Sequence, residues 1–266
     1  MNDPILTAEH ISISFGGLKP VNDFSMSLHA GELVGLIGPN GAGKTTVFNL
    51  LSGVYHPDEG EIRLVGKRID NMPPHEVVAE GIARTFQNIR LFKEMSVLDN
   101  VKVSMVPHAQ YSFMDATLRT PRFRRIEKEQ DIRARELLSL FGLENVADEL
   151  AENLPYGQQR KLEIARALGT NMKVLLLDEP AAGMNPTETA ELRESIDMIR
   201  ERFGIAILLI EHDMSFVMNI CERIMVLDFG QKIAEGTPEV IAADPRVIAA
   251  YLGEEETKEV PHNGNA

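Results

Sequence analysis

The clearest indication of the fold is the segment GPNGAGKTT, residues 38–46. Its first eight residues match the pattern G-x-x-x-x-G-K-[ST] at every specified position. The apolar segment ELVGLI, residues 32–37, precedes it as a predicted buried strand, and TTVFNLLSG, residues 45–53, follows as a predicted short helix that stops at Gly53. A glycine-rich loop in this setting turns backbone N–H groups inward around phosphates, and the helix N-terminus adds partial positive charge. The stretch therefore predicts that the chain binds a nucleoside triphosphate.

Each residue type in this loop has an expected task. Lys44 should reach the β- and γ-phosphates, Thr45 should ligate Mg²⁺, and Thr46 is placed for a further phosphate contact. The predicted nucleotide-binding residues of the loop are Gly38, Pro39, Asn40, Gly41, Ala42, Gly43, Lys44, Thr45 and Thr46.

The segment VLLLDEP, residues 174–180, supplies a second predicted site. Its apolar residues form a buried strand that presents Asp178 at the carboxyl end, where ligands bind in such sheets. Asp178 can hold Mg²⁺ through water, which leaves Glu179 to orient or deprotonate an attacking water. The alternative is that Glu179 only caps the strand. Two adjacent carboxylates in a chain with a phosphate loop favour hydrolysis as the reaction.

Two further polar residues are predicted to take part. His212, in LLIEHD, ends another buried strand and is predicted to contact the γ-phosphate, with a structural hydrogen bond as the alternative. Gln87, in RTFQNIRLF, is polar among apolar neighbours; it is either a surface residue or a ligand of Mg²⁺ or of water.

Composition limits the classes of partner. The chain of 266 residues has 44% hydrophobic and 25% charged residues and a net charge of −13, which opposes non-specific binding to nucleic acid or to anionic lipid. Its one cysteine, Cys221, cannot form an internal disulfide and is predicted to be a small buried apolar side chain. We find neither a secretory signal nor an apolar run of the roughly 18 residues that a membrane helix needs. A cytoplasmic chain without a nucleic-acid partner is expected.

The rest of the pattern predicts an α/β fold. Strands are expected within residues 5–37 and 60–66 and at the segments before Glu179 and His212, with a largely helical region over residues 73–170. Short apolar strands separated by helices predict a mostly parallel sheet. The basic run RTPRFRRIEK, residues 119–128, is either a solvated helix face or a contact with an acidic partner or lipid headgroups.

In their order along the chain, these motifs resemble those of the ATP-binding subunit of ABC transporters, over nearly the whole chain. The resemblance implies ATP and Mg²⁺ as ligands and one ATPase domain over residues 1–253, followed by a disordered acidic and polar tail at 254–266. The implied fold is a P-loop NTPase core with a mixed, mostly parallel sheet, an N-terminal antiparallel β subdomain, and a helical subdomain at about 88–170 that touches the membrane partner. Phe15 would stack on adenine, with core packing beside Ile11 and Ile13 as the alternative.

The resemblance narrows to the uptake transporters for branched-chain amino acids. The stretches that carry it are FGGLKPVND, NIRLFKEMSVLDNV, LPYGQQRKLEIARAL, DEPAAGMNP and IEHDM. Such a system implies membrane-spanning permease subunits, a second, non-identical ATPase subunit and an extracytoplasmic binding protein, with this chain on the cytoplasmic face of the inner membrane. An insertion at roughly 103–128 is similar to that of one of the two ATPase subunit types. The alternatives are an ABC ATPase for another cargo, such as urea or lipopolysaccharide, a non-transport ABC ATPase, or a regulatory nucleotide-binding module.

One motif departs from the family pattern. The signature region is formed by Leu154, Pro155, Tyr156, Gly157 and Gln158. In the family, this region contacts the ATP that is bound to the opposite subunit. Pro155 stands where the family has a serine, and it has neither a hydroxyl nor an N–H. Loss of that hydrogen bond to phosphate would weaken a closed site by about 1.5–3 kcal/mol. A homodimer would lose it twice and a heterodimer once, so a heterodimer is expected. Asn185, where the family has aspartate, predicts altered communication between the two sites.

Overall fold

A computed structural model of the chain describes residues 3–106 and 111–258. By its internal contacts the chain forms two compact units. The first combines the chain up to Pro73 with the chain from Ala206 onward, and the second is Pro74–Ile205.

The first unit contains an antiparallel sheet. Its strands are β1 (Leu6–Phe15), β2 (Leu18–Leu28), β4 (Glu59–Leu64) and β5 (Lys67–Arg68), in the order β2-β1-β4-β5. Gly16 adopts φ 59° in the tight connection between β1 and β2, a conformation that suits glycine. This sheet agrees with the antiparallel β subdomain expected at the N-terminus.

A second sheet of the same unit carries the phosphate loop. It contains β3 (Leu33–Ile37), β8 (Ala206–Ile210), β9 (Arg223–Asp228) and β10 (Gln231–Gly236). β3 pairs in parallel with β8 on one side and β9 on the other, while β10 is antiparallel to β9. β3 and β8 are buried along their full length, as continuous apolar runs in a parallel sheet should be.

Within its described residues, this unit also contains the helices α1 (Lys44–Leu51), α8 (Met214–Ile220), α9 (Pro238–Ala242) and α10 (Pro245–Lys258). The last of them covers residues 254–258, which the sequence analysis assigned to a disordered tail. Glutamate and lysine are good helix formers, and the segment EEETK continues the helix that begins at Pro245. The rest of that predicted tail, residues 259–266, lies outside the described residues.

The second unit contains two parallel strands and most of the helices. β6 (Ile82–Arg84) pairs with β7 (Val174–Asp178) in parallel, with Arg84 opposite Leu176. Its helices are α2 (Pro74–Glu80), α3 (Val97–Met105), α4 (Phe113–Thr117), α5 (Pro121–Ser139), α6 (Tyr156–Leu168) and α7 (Pro186–Phe203). The helical region predicted for 73–170 thus also contains a strand, because three residues are too few to show a strand pattern. Part of the predicted insertion, residues 107–110, lies outside the described residues.

Within residues 3–106 and 111–258, no helix combines the length and the apolar character needed to cross a bilayer.

Candidate functional site

The phosphate loop leaves β3 at Ile37 and enters α1 at Lys44, as predicted. Gly38 and Gly43 have φ angles of 150° and 108°, values that L side chains rarely adopt. A Cβ on Gly38 would lie 2.0 Å from the carbonyl oxygen of Leu227, and one on Gly43 would lie 2.1 Å from that of Pro20. Both positions therefore require glycine, and the loop has the tight cradle that an approaching phosphate needs.

Lys44 lies inside this cradle. Its side chain is buried, and its Nζ donates hydrogen bonds to the carbonyl oxygens of Gly38 at 2.5 Å and of Pro39 at 2.9 Å. Thr45, the next residue of α1, is exposed, and Thr46 is half-buried. A buried ammonium group at the N-terminus of α1 gives the loop the charge and the donors to hold a phosphate.

His212 leaves the same edge of the sheet as the phosphate loop. β8 runs parallel to β3 with Ile210 opposite Leu36, so both strands end at one carboxyl edge. His212 lies two residues after the end of β8 and is exposed. The structure thus places this residue at the carboxyl edge of the sheet in the first unit, where ligands bind in sheets of this kind.

Phe15, at the end of β1, is 45% exposed. Its ring makes an edge-on contact with Tyr55 at a centroid distance of 5.1 Å. Ile11 and Ile13 of the same strand are buried, so Phe15 is not packed in the core with them. The exposed ring is available to a planar ligand, as the adenine-stacking prediction requires.

In the second unit Asp178 ends β7 and is buried. Arg84 donates from Nη2 to its Oδ2 at 2.7 Å, and both side chains are nearly inaccessible. The sequence analysis missed Arg84. Its only signal is parallel register: Arg84 ends β6 opposite Leu176, two residues before Asp178, and a single sequence does not show which strands are neighbours.

Glu179 follows with φ 46°. A left-handed conformation is strained for a glutamate, and such strain is concentrated at functional sites. The side chain of Gln87 donates from Nε2 to Glu179 Oε2 at 2.6 Å. The structure therefore brings together two predicted site residues that are far apart in the sequence.

A buried ion pair connects the segment of Gln87 to α6. Arg160 has no exposed surface; it pairs with Glu163 at 2.7 Å and donates to the backbone oxygens of Phe86 at 2.7 Å and Gln87 at 2.8 Å. Glu163 also accepts from the backbone N–H of Arg90 at 3.2 Å. Burial raises the pKa of the Glu163 carboxyl above its ordinary value, although Arg160 acts in the opposite direction. This pair was not predicted from the sequence, although two opposite charges three residues apart on one predicted helix were a visible signal.

The signature region forms the start of α6. Pro155 is the N-cap, provides no side-chain cap and is exposed. The Tyr156 hydroxyl donates to the carbonyl oxygen of Ala182 at 3.1 Å. Gly157 is buried so close to the Glu188 side chain that a Cβ would lie 2.9 Å from its Oε1, while Leu154 is buried and Gln158 is half-buried. The region is thus a helix N-terminus in contact with the segment before α7 and with the first turn of α7.

Asn185 has a defined structural role. It is the N-cap of α7, and its Oδ1 accepts from the backbone N–H groups of Thr187 and Glu188, both at 3.0 Å. Glu188 completes a capping box by accepting from the N–H of Asn185 at 3.0 Å. Asparagine and aspartate cap helices about equally well, so the departure from the family pattern does not disturb this helix.

A strand, a glycine cradle around a buried lysine and a helix define a P-loop nucleotide-binding protein. Comparison with known proteins narrows the class. The model of the family described as ABC transporter matches residues 21–182, and one described as branched-chain amino acid ATP-binding cassette transporter matches residues 231–257. The chain belongs to the ABC transporter family.

Its curated relatives match from end to end. The high-affinity branched-chain amino acid transport ATP-binding protein BraF of Pseudomonas aeruginosa is 46% identical over 254 residues, which are 96% of this chain and 100% of the relative. LivG of Escherichia coli, with the same description, is 47% identical with the same coverage. The lipopolysaccharide export system ATP-binding protein LptB of Haemophilus influenzae is 36% identical over 94% of this chain and 98% of its own length.

Solved structures confirm the predicted fold class. The ADP conformation of MJ1267, an ATP-binding cassette of an ABC transporter, superposes with a TM-score of 0.81 at 32% identity, covering 95% of this chain and all of the other. CbiO1 from Clostridium perfringens, part of the ABC transporter complex cbiONQ, gives a TM-score of 0.79 at 26% identity, with 97% of each chain covered.

Proposed function

We propose that this chain is the ATP-hydrolysing subunit of an importer for branched-chain amino acids. The phosphate cradle around Lys44 carries the proposal, together with end-to-end similarity of 46–47% to transport ATP-binding proteins for that cargo. The relative described as a lipopolysaccharide exporter subunit is less similar, at 36%. The chain would act at the cytoplasmic face of the membrane, attached to permease subunits that an extracytoplasmic binding protein supplies with cargo.

The residues present fit Mg²⁺ with ATP. The phosphate loop offers the buried ammonium group of Lys44, and oxygen ligands, which Mg²⁺ prefers, are available at Thr45, Gln87 and Asp178. Mg²⁺ would neutralise charge on the phosphates. Arg84 holds the Asp178 carboxylate at 2.7 Å, which suits a ligand that acts through water.

Glu179 is the proposed general base. Its hydrogen bond from Gln87 at 2.6 Å and its left-handed backbone fix the carboxylate, so that it can orient a water and accept its proton. Lys44, Thr45 and Thr46 would hold the phosphates, His212 would contact the γ-phosphate, and Phe15 would stack on adenine.

The signature region supports a second, non-identical ATPase subunit as partner. In the closed dimer of the family, each signature faces the ATP bound to the other subunit. Pro155 offers that ATP no hydroxyl and no N–H, so a heterodimer loses the contact at one site, while the phosphate loop of this chain meets the partner's regular signature. Hydrolysis removes the γ-phosphate, and the population then shifts to the open dimer.

ATP hydrolysis by the purified chain tests the proposal. Activity should be low alone and rise strongly when the candidate second subunit is added, and Glu179→Gln should abolish what this chain contributes. Exposed Glu201→Gln on α7 is the matched control and should leave the rates unchanged. Full activity of the chain alone, lost in Glu179→Gln, would overturn the heterodimer; no nucleotide binding by the chain would overturn the function itself.

A further inference from the structure

Helix α4 exposes three large apolar side chains together. Phe113 is 85% exposed, Met114 is 64% exposed and Leu118, which caps the helix, is 68% exposed; no residue of α4 is buried. At about 100° per residue these three side chains lie within an arc of about 140° on one side of the helix. Single exposed apolar residues are normal, but a contiguous group is typical of an interaction surface.

Local bonds hold this helix in place. Ser112 and Asp115 form a capping box at its start, and the Thr120 hydroxyl donates to Asp115 Oδ1 at 3.0 Å. Thr120 is also the N-cap of α5. The rings of Tyr111 and Phe123 meet edge to face at 5.0 Å. The apolar side chains are therefore presented to the outside by a defined turn between two helices.

A basic face adjoins this turn on α5. Its exposed side chains are Arg122, Arg124, Arg125 and Lys128, and Arg119 precedes the helix. The buried residues of α5 are Gln130, Ala134, Leu137 and Leu138. At about 100° per residue the two groups point in nearly opposite directions, so the basic side chains face away from the side that α5 buries.

The acidic residues nearby offset part of this charge. Hydrogen bonds from Ser112 and Thr120, with a smaller contribution from the charge of Arg122, lower the pKa of Asp115 on α4. Glu127 accepts from the Tyr111 hydroxyl at 3.4 Å and pairs with Lys102 of α3 at 3.4 Å. Glu129 pairs with Arg125 at 3.7 Å. Among the residues that the structure describes, Arg125 alone of the five basic side chains has an ion pair within 4 Å.

We propose that this α4–α5 patch, made of Phe113, Met114, Leu118, Arg119, Arg122, Arg124, Arg125 and Lys128, contacts an anionic phospholipid surface directly. Exposed aromatic and aliphatic groups enter the headgroup boundary, and arginine and lysine bind the lipid phosphates beside them. A bilayer surface offers an apolar layer and phosphate groups everywhere along it. The patch therefore does not need a partner whose residues are placed to match its own. The inference goes beyond the proposed function, because a membrane contact of this chain itself requires neither ATP nor the permease.

The net negative charge of the chain restricts the membrane contact to the α4–α5 patch. With 27 basic and 40 acidic residues, the chain as a whole is repelled by an anionic membrane, as the sequence analysis expected. Screening limits that repulsion to about 8 Å at physiological salt. The patch can therefore bind where it touches the surface, because acidic residues farther away than this contribute little repulsion.

Vesicle flotation of the purified full-length chain tests the patch. Vesicles of phosphatidylcholine with about 30% phosphatidylglycerol should carry the protein, vesicles of pure phosphatidylcholine should not, and binding should fall with added salt. Arg122→Gln/Arg124→Gln/Arg125→Gln should weaken binding at least about tenfold. Phe113→Ser/Leu118→Ser should weaken it severalfold by removing the inserted groups.

Matched control variants separate the patch from general charge and hydrophobicity. Lys67→Gln/Arg193→Gln/Arg202→Gln removes three exposed basic side chains elsewhere, and Phe229→Ser/Val240→Ser removes two exposed apolar ones. Both controls should bind like the parent chain, and unchanged thermal unfolding of every variant shows that folding is intact. No flotation with anionic vesicles at low salt, or equal loss in the controls, would overturn the proposal. Flotation only with vesicles that contain the permease would also overturn it and would assign the patch to an acidic protein partner.

Discussion

The buried Arg160–Glu163 pair should be a main support of the segment that carries Gln87. Arg160→Met removes donors from three acceptors at 2.7–2.8 Å: the Glu163 carboxylate and the carbonyl oxygens of Phe86 and Gln87. Removing one partner of a buried pair costs about 3–5 kcal/mol, because the remaining charge has no compensation. Since two carbonyl groups lose their donors as well, we expect a loss near the upper end, at about 4–5 kcal/mol.

Urea unfolding followed by far-UV circular dichroism measures this loss, since the chain has no tryptophan to report by fluorescence. Arg193→Met on α7 is the matched control; Arg193 is 47% exposed and 4.0 Å from Asp197, so its loss should change the free energy of unfolding by less than about 0.5 kcal/mol. Arg160→Met/Glu163→Leu should be more stable than Arg160→Met, because removing both charges leaves neither one unpaired.

The same variants test the connection to the active site. Arg160→Met should lower the rate of ATP hydrolysis beyond what unfolding explains, because Gln87 loses the anchor of its backbone while its side chain is the group bonded to Glu179. Arg160→Met within about 1 kcal/mol of the parent chain, or a double variant less stable than Arg160→Met, would refute the reasoning.

Three further predictions follow from particular contacts. Gly43→Ala should abolish nucleotide binding, measured with a fluorescent ATP analogue, because its Cβ would lie 2.1 Å from the Pro20 oxygen; binding within a few fold of the parent would contradict this. Burial raises the pKa of Glu32, but the hydrogen bonds and charge of Arg223 outweigh it, so the pKa lies below the ordinary 4.5. The stability that the Glu32–Arg223 contact contributes is present above pH 4.5 and is lost as the pH falls through the folded-state pKa of Glu32. Arg223→Gln should therefore make the melting temperature fall less steeply as the pH is lowered. An unchanged slope of melting temperature against pH would exclude Glu32 as the source of the decline. Burial raises the pKa of the Cys221 thiol to about 12, so iodoacetamide at pH 8 should modify it only in urea, as mass spectrometry would show; rapid modification of the folded chain would refute this.

Local chemistry could be predicted from the sequence, and contacts between distant segments could not. The phosphate loop was predictable because the strand, the glycines and the helix lie within nineteen consecutive residues, Leu33 to Leu51, and each has its own signal. Burial of Cys221 was predicted because a free cysteine is usually a small buried apolar side chain, and the structure confirms it. The bond from Arg84 to Asp178 depends on which strand lies beside β7, and that information is absent from a single sequence.

In the signature region, too, the sequence predicts the local chemistry but not the contacts with distant segments. The sequence predicts a lost hydroxyl at Pro155, and the structure shows that the helix does not depend on one. A proline at the N-cap has no side chain to satisfy the first N–H groups of α6, but Tyr156 anchors the same turn through Ala182, and Gly157 packs against Glu188. The start of α6 is therefore held by contacts with the segment before α7 and with the first turn of α7. Its N-terminal N–H groups keep their intrinsic preference for an anion. Proline in place of the family's serine at position 155 means that a phosphate would be bound by backbone N–H groups and not by a hydroxyl. The position of α6 does not change.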